Sequence, residues 1–468
     1  MQIPQLMHKQ YREAREIIES SDDIKVYSHI DCDGICSGAI LSTILDRQNK
    51  PHEIEFVNLD VLDDMELTHE LTIFSDLGSG QNITTNAKDG QKIIILDHHP
   101  PLRDLDYREG KDYTYLEINP LHHGIDGSYY VCGGGLCYFL AKEFGYNDLS
   151  WIGVLSAIGD MQNTKTGRFE GLNQIIQQDA IDGGYLEVTE SDLNIYGRNT
   201  RPLFVALSYF SDVRLPITNN TTETMAILEE LGIDEKHNRK TLNELTMEEK
   251  GKLFQRLVEM ISKVVPGRYV RYIPQLIIGD SYTFLKEDEG SFLRDASEFS
   301  TAMNACGRNH EEVVAMEVLK GDRIIALDEL ESISKTHRYN LATSISKITE
   351  GEETHIIEME NLQYFDGDGI KPEIVGTVTG MILGHCNWKK PIIGFTQTDT
   401  DGLKVSLRCS RLLSYDGIHF GNIIRKIAAE VGGSGGGHSM ACGAYIPIDK
   451  KSEFLVRFND ELNGKLTN

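Results

Sequence analysis

The sequence predicts an α/β protein whose amino-terminal part is a doubly wound parallel sheet. The first observation is a set of short apolar runs at 24–29, 71–76 and 92–97, each of which ends in His or Asp. The second observation is a helical pattern between these runs, clearest at 34–48. Near-continuous apolar strands that alternate with helices are typical of a parallel sheet covered on both faces.

The character of the chain changes from about residue 216, where an acidic, amphipathic and helical stretch extends to about 265. Short strands at 269–279 and a helix within 295–308 are expected next, with the charged side chains of that helix facing solvent. In a last unit, strands are predicted at 375–384, 391–399 and 402–410. A helix at 421–431 and a glycine run at 432–438 follow them.

The predicted organisation therefore has three parts. The first is the parallel-sheet domain, the second a largely helical α+β insertion, and the third a smaller α/β domain. Their expected ranges are 1–215, 216–339 and 340–468.

Composition excludes several classes of protein. An apolar fraction of 40% is too high for a disordered chain. No uncharged apolar run approaches the roughly 20 residues that cross a bilayer, and the amino terminus does not resemble a signal peptide. We therefore expect a cytoplasmic protein without a membrane partner. The eight cysteines form no CxxC pair, so reduced and mostly buried thiols are expected.

The net charge of −26 first argues against a nucleic-acid partner, because polyanions are bound through Lys and Arg. The charge is unevenly distributed, however. Residues 366–468 contain 12 Lys and Arg against 11 Asp and Glu, so the acidic excess lies in residues 1–365. Global acidity therefore does not exclude a nucleic-acid partner, for which the last unit would be the place, and the acidic helical insertion is a better candidate for protein contacts.

Acidic and imidazole side chains follow the predicted strands. Because the carboxyl ends of parallel strands meet at one edge of a sheet, these side chains are expected to gather there. So many carboxylates repel one another unless cations neutralise them, and mixed carboxylate and imidazole ligands suit Mn²⁺ or Mg²⁺. The candidate metal ligands are His29, Asp31, Asp33, Asp76, His98 and Asp160.

Two ions are expected, with Asp76 between them. His29 and Asp31 would complete one site, and Asp33, His98 and Asp160 the other. Two neighbouring residues have expected catalytic roles: His99 would contact the phosphate, and Asp97 would orient an imidazole. A single DxD after a strand is more often a turn or a helix cap; the coincidence of four such clusters favours the metal site.

Phosphate binding is the expected role of a distant pair of segments. Glycine-rich turns bind phosphates through bare backbone N–H groups, and Arg can donate two parallel hydrogen bonds to a phosphate. A glycine run alone is as often a flexible turn. The earlier segment 132–135 is typical of a helix-entry turn that packs against a sheet. The candidate substrate-binding residues are Ser406, Arg408, Gly435, Gly436, Gly437 and His438.

The motifs HIDCDG, SDLG, LDHHP and AIGD, in that order, resemble the four motifs of the DHH phosphoesterase superfamily. KVSLRCSR together with GGSGGGH resembles the companion DHHA1 domain, although Ser434 enlarges the usual glycine turn. The resemblance spans about residues 24–443. The long insertion and the segment 292–308 are similar to the archaeal RecJ-like nucleases.

This resemblance implies a Mn²⁺- or Mg²⁺-dependent exonuclease that hydrolyses single-stranded DNA or RNA in replication or repair. It also implies the GINS complex as a partner at the replication fork. Two alternatives stay open. One is an oligoribonuclease or nucleoside bisphosphate phosphatase of the same superfamily, and the other is a non-catalytic replication scaffold like the eukaryotic member.

Overall fold

The computed structural model describes residues 1–105, 112–233, 239–351, 355–398 and 402–466. The chain forms two compact units. The first comprises Met1–Asp192 and Gly279–Lys335, and the second comprises Leu193–Ile278 and Thr336–Asn468. The segment predicted as one insertion therefore contributes residues to both units.

The first unit is built on a five-stranded sheet. Its strands are β1 (Ile24–His29), β2 (His52–Val57), β3 (Leu71–Ser75), β4 (Lys92–Leu96) and β5 (Thr114–Ile118). Every neighbouring pair is parallel, in the order β2-β1-β3-β4-β5. The predicted α/β fold is confirmed. Strands β2 and β5 went unpredicted because their glutamates interrupt the apolar runs, as expected for the two edges of the sheet.

Five helices accompany this sheet: α1 (Gln5–Glu19), α2 (Cys32–Arg47), α3 (Gly133–Glu143), α4 (Ser150–Gly159) and α5 (Asn173–Asp182). They share one core with strand residues such as Val26, Ile73 and Ile94. Side chains of the opposite strand face, including Phe74 and Ile95, pack against the segment 57–87. Alternation along each strand thus buries both faces of the sheet.

The middle of the chain is mostly helical, as predicted. In chain order its elements are β6 (Leu186–Leu193), α6 (Leu203–Ser208), α7 (Thr221–Glu230), α8 (Met247–Val264), α9 (Ile273–Ile277), β7 (Ile278–Phe284), α10 (Ala296–Gly307), α11 (Glu312–Leu319) and α12 (Ile325–Glu350). Strands β6 and β7 form a two-stranded sheet. Helix α8 begins at a capping box between Thr246 and Glu249, which satisfies two backbone N–H groups.

The predicted strand signal at 269–279 is wrong until its last two residues. Residues 267–277 are helical, and strand β7 begins only at Ile278. Pro274 lies in the first turn of α9, where its missing N–H costs nothing. Tyr269, Ile273 and Leu276 follow a helical spacing and are buried in the core of the second unit.

The second unit carries a six-stranded sheet in the order β12-β13-β11-β10-β9-β8. All its neighbouring pairs are antiparallel except β9 with β10. In chain order the elements are β8 (Ile357–Glu358), β9 (Gln363–Asp366), α13 (Pro372–Ile382), β10 (Ile392–Gln397), β11 (Gly402–Arg408), α14 (Arg411–Tyr415), α15 (Phe420–Glu430), β12 (Ser434–Gly437), β13 (Ala441–Pro447) and α16 (Lys451–Glu461).

Two expectations for this unit are wrong. The segment 375–384 was expected to be a strand, but most of it belongs to helix α13, which buries Val375, Val378 and Ile382 at helical spacing. The glycine run was expected to be a loop. It instead contains strand β12, whose glycines pair with β13. A Cβ on Gly435 or Gly437 would lie less than 3 Å from atoms of β13, so glycine suits these positions.

The eight cysteines are free and buried in the structure. That they are reduced stays a prediction. Within the described ranges, no helix has both the length and the apolar character needed to cross a membrane.

The second unit contains a partly buried ion pair that should matter for its stability. Arg411 donates to both carboxylate oxygens of Asp212, at 2.6–3.0 Å, and to the carbonyl of Leu276 at 2.8 Å. We expect Asp212→Ala to lower the free energy of unfolding by about 3 kcal/mol, because the guanidinium is left without its counter-charge. Urea denaturation measures the change.

The matched control is Glu453→Ala, which removes the exposed partner of Arg457. Exposed pairs contribute little, so this variant should unfold at nearly the wild-type urea concentration. Equal midpoints for the two variants would contradict the structural role assigned to Asp212.

Candidate metal centre

The strand order brings the predicted ligands to one place. Strands β1 and β3 are neighbours in the sheet. The connection after β1 leads to β2 on one side and the connection after β3 leads to β4 on the other, so the two connections diverge at this point. His29 is the last residue of β1, and Asp76 directly follows β3. In open parallel sheets, the crevice at the carboxyl ends of such strands is the usual ligand site.

The segment after β1 turns into a helix earlier than expected. The helical pattern in the sequence is clearest from residue 34, but helix α2 begins two residues earlier, at Cys32. Asp31 is the N-cap, and its Oδ1 accepts the Gly34 N–H at 3.1 Å. Ser28 Oγ donates to the Gly34 carbonyl at 2.6 Å and fixes the start of the helix.

Asp33 is held by the amino terminus of another helix. Its two carboxylate oxygens accept the N–H groups of Gly133 and Gly134 at 2.8 and 2.7 Å, and Ser156 Oγ donates to one of them. A Cβ on Gly133 would lie 2.6 Å from the Cβ of Asp76. The turn at 132–135 therefore shapes the site in addition to packing against the sheet.

Two buried polar atoms at this place have no hydrogen-bond partner in the described residues: Asp76 Oδ1 and His29 Nδ1. Asp76 Oδ1 lies 3.2 Å from Nε2 of His98, and His29 Nδ1 lies 3.2 Å from Asp31 Oδ2. Unpaired buried polar atoms are costly, whereas converging carboxylate and imidazole atoms are the donor set of a divalent cation. The residues therefore fit a metal ion.

The ring of His98 is oriented by the backbone. Nδ1 donates to the Gly127 carbonyl at 2.7 Å, so the lone pair of the neutral ring lies on Nε2, which faces Asp33 and Asp76. A carbonyl partner of this kind is the usual means of orienting a metal-binding imidazole. Asp160, which caps the carboxyl end of α4, lies on the other side of the ring.

His99 and Asp97 form a separate pair. The buried Asp97 accepts from His99 Nδ1 at 2.8 Å and from the Ser79 N–H at 2.9 Å. Burial would raise the pKa of Asp97, but the imidazoles of His99 and His98 lower it below its usual range. The side chain of His99 is 45% exposed. Its Nε2 points away from Asp97 and can meet a ligand.

The structure brings all eight predicted residues of the first unit together. Ligand atoms lie within 4.8 Å of one another in three groups, with Asp76 in two of them. The groups are His29, Asp31, Asp76; then Asp33, His98, Asp160; and Asp76, Asp97, His98, His99. The first two correspond to the grouping expected from the sequence. The metal-binding role of each residue stays a prediction.

The electrostatics favour a cation here. Burial, together with the neighbouring Asp76 and Asp160, raises the pKa of Asp33 well above its usual value. Burial would lower the pKa of His98, but Asp160 and Asp76 raise it well above its usual value. Neighbouring carboxylates contribute to both shifts, and divalent cations would offset their negative charge.

A buried polar network behind this site was not predicted. Ser79 Oγ donates to Glu117 at 2.5 Å, and Asn119 Nδ2 donates to Ser79 Oγ at 2.9 Å and to the His99 carbonyl at 2.8 Å. Arg103 donates to the carbonyls of residues 78, 79 and 81. The network joins the loops after β3 and β4. The sequence signal for this network is the pair of polar residues at the end of β5. It was missed because β5 was not predicted as a strand.

Helix α10 contributes a second unpredicted contact. Asn304 Oδ1 accepts the Cys32 N–H at 3.1 Å, and a Cβ on Gly307 would overlap the Ile30 carbonyl. The charged side chains of this segment were expected to face solvent. That is wrong for Asp295 and Glu298, both 5% exposed; Asp295 caps the helix.

The predicted substrate residues of the second unit lie on adjoining strands. Ser406 on β11 pairs with Gly443 on β13, which pairs with Gly436 on β12. Arg408, two residues after Ser406, shares its face of β11, and a Cβ on Gly376 of α13 would lie 2.9 Å from its guanidinium. The remaining predicted residues, Gly435, Gly437 and His438, lie on β12 or directly after it.

Comparison with known families gives three consecutive matches. Residues 23–155 match the DHH family N-terminal domain, residues 195–275 the DHH-CID domain, and residues 359–464 the DHHA1 domain. The uncharacterized protein MJ0831 of Methanocaldococcus jannaschii is 31% identical over 452 residues, which are 94% of this chain and 93% of that protein. The chain belongs to the DHH family. The resemblance seen in the motifs is confirmed, and the eight residues above lie in or directly after the DHH domain.

Solved structures share the fold at low identity. CDC45 from Entamoeba histolytica has a TM-score of 0.60 at 13% identity and covers 97% of this chain and 98% of its own. RecJ from Thermus thermophilus, solved in complex with Mn²⁺, has a TM-score of 0.57 at 15% identity. That match covers 97% of this chain and 55% of the RecJ chain. The DHH protein therefore has a RecJ-like α/β fold.

Asp76→Asn tests the metal centre without any substrate. Asn tolerates the positive φ of 59° at this position, so the backbone should be preserved. Without divalent metal, we expect the variant to be at least as stable as wild type, because one buried like charge is removed. Mn²⁺ at about 100 times its Kd should stabilise wild type by about 2.7 kcal/mol and the variant much less.

Thermal unfolding with chelator and with Mn²⁺ measures both effects, and Asp22→Asn, whose side chain is 90% exposed, is the control. Equal stabilisation of wild type and Asp76→Asn by Mn²⁺ would argue against a metal ligand at Asp76.

Asn119→Ala tests the network behind the site. It leaves Ser79 and the His99 carbonyl without a donor, and we expect a loss of about 1–3 kcal/mol in the free energy of unfolding. Urea denaturation checks this value. The exposed Asn82 caps nothing with its side chain, so Asn82→Ala should behave as wild type. An unchanged urea midpoint for Asn119→Ala would refute the importance of these bonds.

Proposed function

We propose that this DHH protein is a Mn²⁺- or Mg²⁺-dependent exonuclease that hydrolyses the phosphodiester bonds of single-stranded DNA or RNA by a two-metal mechanism. The observation that supports this most is a pair of ligand groups, one of His29, Asp31 and Asp76 and the other of Asp33, His98 and Asp160. Asp76 Oδ1 lies 3.2 Å from Nε2 of His98, which brings the two groups next to each other. Two bound divalent cations would activate the phosphorus and the attacking water.

The chain's own residues have defined tasks in this proposal. His98 and Asp160 provide ligand atoms whose orientation is fixed by the Gly127 carbonyl and Gln162, respectively. His99 donates a hydrogen bond from Nε2 to a phosphate oxygen, because the Asp97 carboxylate on Nδ1 favours the protonated ring. Burial and His98 oppose that effect, yet the pKa of His99 is raised. The Asp97–His99 pair thus neutralises charge on the phosphate.

The second unit binds the single strand in this proposal. Ser406, Arg408 and the backbone of Gly435–Gly437 contact its phosphates, with His438 beside them. Burial lowers the pKa of Arg408, but a guanidinium remains charged at neutral pH. Arg408 donates to the Leu407 carbonyl through one nitrogen, which leaves further N–H groups for a phosphate.

End-labelled single strands of DNA and RNA, incubated with Mn²⁺, test the activity and its polarity. Hydrolysis should stop when a chelator removes the metal. Asp31→Ala and Asp160→Ala should each lower the rate by more than about 100-fold. Loss of a group that only orients a metal ligand lowers activity by about 10- to 100-fold, and loss of the ligand itself should have a larger effect. Asp22→Ala, on the exposed surface, should retain the wild-type rate.

The alternatives give different results in the same assay. Cleavage confined to dinucleotides or to nucleoside bisphosphates would replace the exonuclease with a small-substrate phosphodiesterase or phosphatase. No Mn²⁺-dependent hydrolysis of any of these substrates by wild type would support a non-catalytic scaffold.

We also propose a role in replication or repair with the GINS complex as a partner. The support is the resemblance to archaeal RecJ-like nucleases. Co-purification of the full chain with the cognate GINS proteins tests the association, and failure to co-purify would count against it.

A further inference from the structure

Tyr445 is an exposed aromatic residue on the sheet of the second unit. It lies on β13 and is 52% exposed, whereas its neighbours Ala444 and Ile446 are buried in the core that includes α15 and α16. Because successive strand side chains point to opposite faces, the ring of Tyr445 projects from the face away from this core. Its apolar surface is therefore not explained by packing.

The residues beside Tyr445 are cationic or small. Its partner on β11 is Lys404, whose Nζ lies 5.6 Å from the ring centroid, and its partner on β12 is Ser434. Strand β12 is the last strand of the sheet and continues as three glycines. The side of the ring toward β12 is thus bordered by one short side chain and bare backbone, which leaves room for a planar ligand.

Positive charge is concentrated around the same strands. Six Lys or Arg residues of the range 402–466 have a carboxylate within 4.0 Å: Arg411, Lys426, Lys450, Lys451, Arg457 and Lys465. The described residues place no carboxylate within that distance of Lys404, Arg408 or Arg425. Lys404 and Arg408 lie on β11, and the Arg425 guanidinium lies 3.2 Å from where a Cβ of Gly436 would be. Cations without counter-charges on one sheet region suit an anionic ligand.

We propose that Tyr445 stacks a nucleobase of the single strand, and that Lys404 binds the phosphate of the same nucleotide. This inference rests on the proposed function and adds a base-binding subsite to it. Stacking on an aromatic ring accepts every base, because each base has a π-face. The single strand would thus be bound through bases as well as phosphates, without sequence preference.

Binding of labelled oligonucleotides by fluorescence anisotropy, in chelator so that hydrolysis does not occur, tests the subsite. We expect Tyr445→Ala to weaken binding of an oligo-dT strand by about 5- to 100-fold and Tyr445→Phe to bind as wild type. The control is Tyr339→Ala, since Tyr339 on α12 is 71% exposed and should not contribute. Melting temperatures show whether each variant is folded.

An abasic strand of the same length separates stacking from general charge. Wild type should bind it more weakly than oligo-dT, whereas Tyr445→Ala should bind both equally. Lys404→Met should reduce the slope of log K against log salt by about 0.7, the contribution of one phosphate contact on a single strand. Wild-type affinity of Tyr445→Ala for oligo-dT, or equal losses for both strands, would overturn the subsite.

The outcomes also separate this inference from the proposed function. Wild type that binds oligo-dT through Tyr445 but never hydrolyses it would refute the nuclease and keep the subsite. If wild type hydrolyses the strand and Tyr445→Ala binds oligo-dT normally, the nuclease is kept and the subsite is refuted. Wild type that binds neither DNA nor RNA single strands would overturn the subsite.

Discussion

Repulsion among buried carboxylates is the constraint on which the first unit depends. Asp33 and Asp76 are each 2% exposed, and Asp160 has a carboxylate oxygen within 4.8 Å of Asp33. Such an arrangement destabilises a folded protein unless the negative charge is compensated. The ligand carboxylates Asp31, Asp33, Asp76 and Asp160 carry four negative charges when they are ionised. Two divalent cations would balance that charge, because imidazoles that bind a metal are neutral.

Backbone groups and small side chains position the carboxylates of the site. Gly133 and Gly134 allow the α3 backbone to approach Asp33, and the positive φ of Asp76 turns its side chain into the site. Behind them, Ser79 and Asn119 connect the loops after β3 and β4. These contacts are made by backbone groups and small side chains, so the site is positioned by the sheet rather than by flexible side chains.

The sequence predicted the parallel sheet and the grouping of the eight site residues because strand ends are recognisable from apolar runs that stop at His or Asp. It did not predict β2 or the network at the end of β5, because edge strands carry charged residues that obscure the pattern. Helix α13 was predicted as a strand, because Val and Thr favour strands locally. Which of its residues are buried, and that they are spaced as on a helix, is evident only from the structure. The contact of Asn304 with Cys32 joins residues 272 positions apart, which no local pattern encodes.

Anomalous diffraction from crystals of the full chain grown with Mn²⁺ would locate the cations that balance the ligand carboxylates. Two manganese peaks are expected, one among His29, Asp31 and Asp76 and the other among Asp33, Asp76, His98 and Asp160. Absence of manganese from this cluster, or a single ion that leaves either group of carboxylates without a cation, would contradict this expectation.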